Sequence, residues 1–453
     1  MSPDNTEQRA VISLASLYAL RMLGLFMVLP VLMLDGQDLA GATPELLGLA
    51  MGVYGLTQAL LQIPAGALSD RIGRKPVIIG GLIIFAIGSV IAATSDNIYG
   101  VILGRALQGG GAIASAIMAL VTDLTREEHR MKAMASIGAS IGLSFSVALV
   151  LGPWLAALGG LQLIFAATAV LAVGGVLVTI WVIPSQPAIR HRDANAVVPV
   201  IVEQLKNREM WPLTLGVFLV HLLMVAIFVA IPLQLVEAGL EPTQHSWLYL
   251  PVLVISFVLM VPFIIFSEKR KKMKSVVMAA AAVIATGLFL MSVASELWHW
   301  VAVLLLYFWG FNLMEASLPS WLSKIAPAGA KGSAMGIYSS MQFFGAFSGG
   351  ALGGWILAQY GAAILFVGLG ALVVLWALIL SQTNAPRHLV SVRLPGNRHL
   401  DDSVLTELEA QPGVAEALYL PAENAIYLKV SADEFSHDDA LTLIESTGEK
   451  HGS

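Results

Sequence analysis

The sequence predicts an all-α membrane protein, with twelve transmembrane helices in two six-helix bundles and a small cytoplasmic α+β domain. The composition is that of a chain dissolved mostly in lipid, since 57% of the residues are hydrophobic, 12% are charged and the mean hydropathy is +0.79. Most of the twelve apolar stretches exceed the roughly 20 residues that a helix needs to cross about 30 Å of hydrocarbon. Lysines and arginines fall in the termini and in alternate connections, except for Arg21 and Arg105.

The apolar stretches define the predicted spans, which are 10–34, 44–68, 76–95, 98–122, 130–153, 161–183, 211–236, 246–266, 275–294, 298–323, 334–357 and 361–382. The connections after even-numbered spans are basic, whereas the others carry acids such as Asp35, Asp96 and Glu241. Because positive charge resists translocation, the basic connections and both termini are predicted to be cytoplasmic. The N-terminus has one arginine and no small-residue cleavage site, so we expect no cleaved signal peptide.

A polar segment from Pro184 to Met210 separates two blocks of six spans. We therefore expect an N-terminal bundle at 1–183, a cytoplasmic linker at 184–210 and a C-terminal bundle at 211–383. This layout suits two bundles that rock about a cavity near the midplane of the membrane. A single rigid bundle with an incidental loop is the alternative.

Hydropathy falls after Thr383, and a separate domain is expected at 387–450. Periodicity and turn residues predict strands at 388–394, 415–420 and 425–430, and helices at 401–411 and 436–446. The order β-α-β-β-α matches a ferredoxin-like split βαβ unit. A domain of this size is marginal alone, so we expect it to lean on the transmembrane part or on a second copy of itself.

A charged motif, Gly66-Ala-Leu-Ser-Asp70-Arg71-Ile-Gly73-Arg74-Lys75-Pro76, joins spans 2 and 3. Gly66 allows close helix contact and Gly73 permits a turn. We expect Arg74 to pair with Asp123 at the end of span 4, and the positive end of span 11 to face Asp70. An acid that bridges the two halves in this way would be a conformational switch. An ordinary basic loop would explain the arginines but not the aspartate and both glycines.

This string resembles the G-x-L-a-D-r-x-G-r-k motif of the major facilitator superfamily, with Ser69 where alanine is usual. The equivalent connection between spans 8 and 9 keeps charge but lacks the glycines. The resemblance implies the superfamily fold and transport by alternating access, in which spans 1, 4, 7 and 10 line the cavity.

Ionisable groups inside spans are costly and are therefore functional candidates. Arg21, Arg105, His221 and Glu315 lie one each in spans 1, 4, 7 and 10, with Gln108 and Asn312 beside two of them. Arg105 and Gln108 also resemble the R-x-x-Q-G signature of the superfamily, which implies proton coupling or pocket electrostatics. Together these six residues are the predicted substrate and proton pathway.

Structural roles are the alternatives for these residues. Arg21 and Arg105 could only fix helix packing, His221 could be a neutral hydrogen-bonded core residue, and Glu315 could be a structural acid satisfied by Asn312 or by an arginine.

Gly152 and Pro153 in span 5 resemble the antiporter motif of the superfamily, although Ala148 stands where glycine is usual; a kink site is the alternative. The sequence lacks a P-loop, a metal-ligand cluster in the spans and a nucleophile motif, so we expect no nucleotide-driven pump, no metal or other cofactor, and no enzyme. We expect no nucleic-acid partner either.

Ser16–Leu32, the set formed by Asp70, Arg74 and Asp123, and the C-terminal region resemble the YajR-type branch of the superfamily. That resemblance implies proton-coupled export of a small, drug-like molecule across a bacterial inner (plasma) membrane. The implied partners are a substrate, protons and the lipid bilayer, with possible self-association through the C-terminal domain. A metabolite symporter or uniporter, or a transporter-like sensor that signals through that domain, are the alternatives.

Overall fold

The computed structural model describes residues 5–184, 209–326, 331–385, 389–395, 402–420, 425–431, 435–436 and 440–441. The predicted linker at 184–210 and most of the second helix of the C-terminal domain lie outside these residues. Ten helices in the described part are long and apolar enough to cross a membrane. Two of them are each broken at a glycine turn into a pair of spans, so the described residues contain twelve spans, as the sequence predicts.

In the first half, the helices run Asn5–Phe26, Leu32–Asp35, Pro44–Ile72, Arg74–Ala93, Ile98–Gly110, Ala114–Leu124 and Glu127–Trp181. The last of these contains spans 5 and 6. In the second half they run Trp211–Glu237, His245–Lys269, Met273–Met291, Leu297–Ile325 and Lys331–Ser381, and the last contains spans 11 and 12. Short 3₁₀ turns at Gly36–Asp38 and Pro242–Gln244 lie in two of the acidic connections.

Glycine makes the tight turns in both of the long helices. Gly160 has φ 66° and Gly361 has φ 81°, values in the left-handed region that side chains with a Cβ atom avoid. Gly73, with φ 100°, ends span 2 and begins span 3 in the same way. Gly73 of the charged motif is therefore required by the backbone turn between two antiparallel spans.

Two predicted spans are interrupted, and on this point the sequence prediction is wrong. Span 1 ends at Phe26 rather than 34, and residues 27–31 form turns before the short helix Leu32–Asp35. Pro30 lies in that segment and cannot donate a helical hydrogen bond. Span 4 breaks between Gly110 and Ala114, where a Cβ atom on Gly111 would lie 2.3 Å from the carbonyl oxygen of Gly81.

We call the end of the bundle with Arg71, Arg74 and Lys269–Lys272 the basic end, and the end with Asp35, Asp96 and Glu241 the acidic end. The two halves meet near the acidic end. There, spans 2 and 11 cross so closely that a Cβ atom on Gly48 would lie 2.4 Å from the carbonyl oxygen of Gly350. Spans 5 and 8 also meet, since Ser246 Oγ donates to the carbonyl of Val150 over 3.0 Å.

The halves diverge toward the basic end. No atom lies within 4 Å of a Cβ atom placed on Gly138 or Gly142 in span 5, or on Gly336 in span 11. The buried core shows the same division, because side chains near the acidic end, such as Leu47 and Leu149, join one cluster with the second half. Side chains of the first half nearer the basic end, such as Ile78 and Ile137, form a second cluster. The contacts between the halves that the structure describes therefore lie mainly near the acidic end.

The C-terminal domain has strands β1 (Leu389–Pro395), β2 (Val414–Leu420) and β3 (Ala425–Ser431), with a helix at Asp402–Glu409 between β1 and β2. The strands form one antiparallel sheet in the order β1-β3-β2. Leu394, Val404, Leu408, Ile426, Leu428 and Val430 are among the residues that make its core. Each of these elements begins and ends within one residue or two of its predicted bounds.

Candidate transport pathway and switch

In the first half, Arg21 is only 2% exposed and one of its Nη atoms donates to Gln58 Oε1. Gln58 in turn donates to Gln62 Oε1 over 3.2 Å, so a short polar chain runs along span 2. Within the described part of the chain, Nε and the other Nη of Arg21 have no hydrogen-bond partner. Buried guanidinium donors without acceptors are costly, so Arg21 is suited to bind an acceptor group of a ligand.

Arg105 has a different environment. Its Nε and one Nη donate to the carbonyls of Ala50 and Met51 in span 2, over 3.2 and 3.3 Å, and its other Nη donates to Gln108 Oε1 over 2.8 Å. The guanidinium also lies 5.0 Å from the ring centroid of Tyr54. It is fully buried with all three nitrogens bonded, which favours a role in fastening span 4 to span 2.

In the second half, His221 in span 7 faces span 11. Its Nδ1 lies 3.1 Å from the carbonyl oxygen of Val217, which can only accept, so Nδ1 carries the proton. Its Nε2 lies 2.7 Å from Nε2 of Gln342 and therefore accepts from that amide. Both ring nitrogens of His221 are thus engaged, Nδ1 within span 7 and Nε2 by Gln342 of span 11.

Glu315 in span 10 completes this cluster, because its Oε2 lies 3.7 Å from His221 Nε2. That oxygen is buried and accepts no hydrogen bond from the described residues. Asn312 instead donates to Ser256 Oγ in span 8 over 3.1 Å. The predicted alternative that Asn312 satisfies Glu315 is therefore not what the structure shows.

The predicted switch residues gather at the basic end of the first half. Arg74 forms an ion pair with Asp70, and its Nε lies 3.2 Å from Asp123 Oδ2. Its Nη1 also donates to Ser69 Oγ over 2.7 Å. Ser69, which stands where the motif usually has alanine, therefore adds a hydrogen bond to Arg74. Gly66 lies against Ser115 in span 4, and Arg71 is exposed. Arg74 thus fastens the ends of spans 2, 3 and 4 together.

Gly152 and Pro153 lie where span 5 crosses the interrupted segment of span 1. A Cβ atom on Gly152 would lie 2.4 Å from the carbonyl oxygen of Met27. The motif therefore permits close packing near the acidic end.

A cavity of about 890 Å³ opens at the acidic end and is lined by residues that include Asp35, Asp38, Asp96 and Glu237. Burial, and secondarily the neighbouring Asp38, raises the pKa of Asp35 above its ordinary value. Leu233 and Val236, near the end of span 7, also line this cavity, so it lies at the end of that helix and not beside His221.

Two helical halves that each bury polar side chains, and an ion-paired motif between spans 2 and 3, are typical of one class of membrane transporter. The family model of the Major Facilitator Superfamily matches residues 14–350, and the chain belongs to this superfamily. It is 44% identical over 430 residues to the inner membrane transport protein YajR of Escherichia coli, covering 94% of this chain and 95% of that protein.

More distant similarities agree with this family. The chain is 26% identical over 340 residues to the multidrug resistance protein MdtH of Sodalis glossinidius, covering 74% of this chain and 82% of that one. The crystal structure of the human organic anion transporter MFSD10 superposes with a TM-score of 0.63 at 19% identity, covering 84% of this chain and all of that structure. At that identity the superposition shows the fold alone.

Sequence reasoning missed the uncharged members of both clusters. Gln58, Gln62 and Gln342 lie inside spans, and each bonds another polar side chain. Their polarity within apolar helices is the signal in the sequence that marks them.

Proposed function

We propose that this superfamily transporter exports a small, drug-like molecule across the bacterial inner membrane in exchange for protons. The basic end and both termini are cytoplasmic in this proposal, as the charge distribution favours. The observation that carries the proposal is the approach of His221 Nε2 to Glu315 Oε2, 3.7 Å apart, between spans 7 and 10. A titratable pair inside a membrane is the kind of group that proton-coupled carriers use.

The geometry supports a sequence of events. In the state open at the basic end, His221 has no proton on Nε2 and the substrate enters toward the unpaired donors of Arg21. When the acidic end opens, substrate leaves and a proton reaches Nε2. The new imidazolium can no longer accept from Gln342, and it attracts the carboxylate of Glu315. Return to the first state releases the proton on the cytoplasmic side.

Asp70, Arg74 and Asp123 are proposed to stabilise the cytoplasmic side in the outward-facing state. Arg74 already joins both carboxylates in the state described here. Asp70 would then engage the positive N-terminal end of span 11 when the two halves close at the basic end. The ion pairs of the switch would thus already be formed within the first half before the two halves meet at the basic end.

The proposal is tested with the full chain in proteoliposomes that contain a trapped pH-sensitive dye. Compounds from a panel are added with and without an imposed proton gradient, and proton movement reports exchange. Glu315→Gln should abolish uphill accumulation driven by the gradient but retain exchange of substrate for substrate, because an amide cannot stabilise the imidazolium that carries the proton. Glu237→Gln, an exposed acid at the other end, is the matched control.

If Glu315→Gln still coupled accumulation to the proton gradient, the Glu315 carboxylate would not be needed to hold the proton on His221. If the unaltered protein exchanged substrate at a rate independent of pH and gradient, a uniporter would replace the proposed antiporter.

A further inference from the structure

A buried lysine connects the C-terminal domain to the transmembrane part. Lys429 lies on β3 between Leu428 and Val430, whose side chains are in the core of the domain. Alternation along a strand places Lys429 on the opposite face of the sheet. It is nevertheless only 4% exposed. The face of the sheet that carries it is therefore covered by another part of the molecule.

The cover is the end of span 10. The ammonium group of Lys429 donates to the carbonyl of Lys324 over 3.0 Å and also to the carbonyl of Ala326. Span 10 ends at Ile325, so these carbonyls belong to its last turn and cap. The last carbonyls of a helix lack intrahelical donors and carry the negative end of the helix dipole. A cation is the side chain that this end requires.

At the basic end, the C-terminal ends of two other helices are capped by lysines from neighbouring spans. Lys75, at the start of span 3, donates to the carbonyl of Ile183 at the end of span 6. Lys274, at the start of span 9, donates to the carbonyls of Ser381 and Thr383 at the end of span 12. The two caps occupy corresponding places in the two halves.

Spans 4 and 10 also correspond, but their ends are held differently. In the first half, Arg74 comes from the connection between spans 2 and 3 and reaches Asp123 near the end of span 4. In the second half, Glu268 at the end of span 8 pairs directly with Lys324 over 2.9 Å. The cation at the backbone of span 10 comes from β3, more than a hundred residues further along the chain.

We propose that the C-terminal domain is a built-in partner of the second half, which docks the face of its sheet that carries Lys429 on the basic end of span 10. Lys429 does for that end what Arg74 does for the end of span 4. Because span 10 also carries Glu315, the domain is fastened to the helix that bears the proposed proton site. This inference does not depend on transport or on proton coupling, since docking is measured without substrate.

Spin-label distances test the docking, and the chain has no cysteines that would need to be removed. Labels are placed in the full chain on two exposed positions, Glu407 of the domain helix and Arg270 after span 8. The parent should give one narrow distance population, and Lys429→Met should at least double its width. Lys272→Met, which removes an exposed lysine at the same end, should leave the width unchanged. A Lys429→Met distribution as narrow as the parent would overturn the proposal.

A second measurement uses the unaltered protein, so it does not depend on how a variant folds. Amine acetylation followed by mass spectrometry should modify Lys429 at least tenfold more slowly than Lys272. Equal rates would overturn the proposal. Hydrogen exchange of the amides in Asp402–Glu409 shows whether the C-terminal domain of Lys429→Met remains folded. If that domain is unfolded, the acetylation rates of the unaltered protein decide whether Lys429 is docked.

Discussion

The close crossing of spans 2 and 11 predicts that Gly48→Ala shifts the protein toward the state open at the acidic end. A Cβ atom on residue 48 would lie 2.4 Å from the carbonyl oxygen of Gly350 and 2.7 Å from Cα of Gly354. Both neighbours are backbone atoms, which no rotamer change can move. Ordinary contact begins at 3.4 Å, so the two helices must separate by about 1 Å.

Overpacking of this kind costs about 1–3 kcal/mol, and it acts only in the state in which spans 2 and 11 touch near the acidic end. The conformational equilibrium should therefore move by about 5- to 150-fold toward the other state. Alanine also favours a helix over glycine by about 1 kcal/mol in both states, so the substitution does not threaten the fold. The expected result is a population change without loss of folded protein.

Spin labels on Tyr99 and Val293, exposed residues of the two halves at the acidic end, measure the change. Gly48→Ala should add a population at longer distance. Gly138→Ala is the matched control, because a Cβ atom there has no neighbour within 4 Å. If Gly48→Ala left the distance distribution of the parent unchanged, the glycine crossing would not be what closes the acidic end.

Two further predictions concern acids at opposite ends of the bundle. Asp70→Asn removes one of the two carboxylates that pair with Arg74, while Asp123 remains. Transport should be lost with membrane insertion intact. Normal substrate flux at normal expression would contradict the proposed role of Asp70 in the switch. The raised pKa of Asp35 means that the folded state holds this proton more tightly than the unfolded state, so its contribution lowers stability as pH rises through that pKa. Asp35→Asn should raise Tm at about pH 7 relative to the parent and have less effect at about pH 4, and a larger gain at the lower pH would show that the sign is wrong.

Hydropathy and charge predicted the spans and the two halves because each span must satisfy its own backbone in lipid. They did not predict the breaks at 27–31 and 111–113, since apolar composition continues through both. The break at 111–113 begins at the last of three consecutive glycines, Gly109–Gly111, a local signal that hydropathy does not register. Gly111 also lies against Gly81 of another span, so low helix propensity and close packing coincide there.

Candidate site residues were predictable where a charge inside the membrane is energetically costly. They were not predictable where a residue has a role only because of its contacts in the folded structure. Arg21 and Glu315 stand out in any apolar helix, whereas a glutamine such as Gln342 is notable only because it reaches His221. Lys429 lies in a short polar domain where a lysine is expected on the surface, and its burial depends on a contact with span 10. Long-range contacts of this kind leave no periodic signal in the sequence.

Span 11 connects the two clusters, because consecutive residues on it face different halves. Gln342 donates to His221, while the ring of Phe343 packs edge-on at 6.1 Å from Tyr54, the ring beneath Arg105. Protonation of His221 Nε2 removes the acceptor that holds Gln342, on the same helical turn whose backbone lies against span 2. The proposed proton site and the crossing near the acidic end therefore lie on one helix, so in the proposed mechanism we expect a change at His221 to affect that crossing.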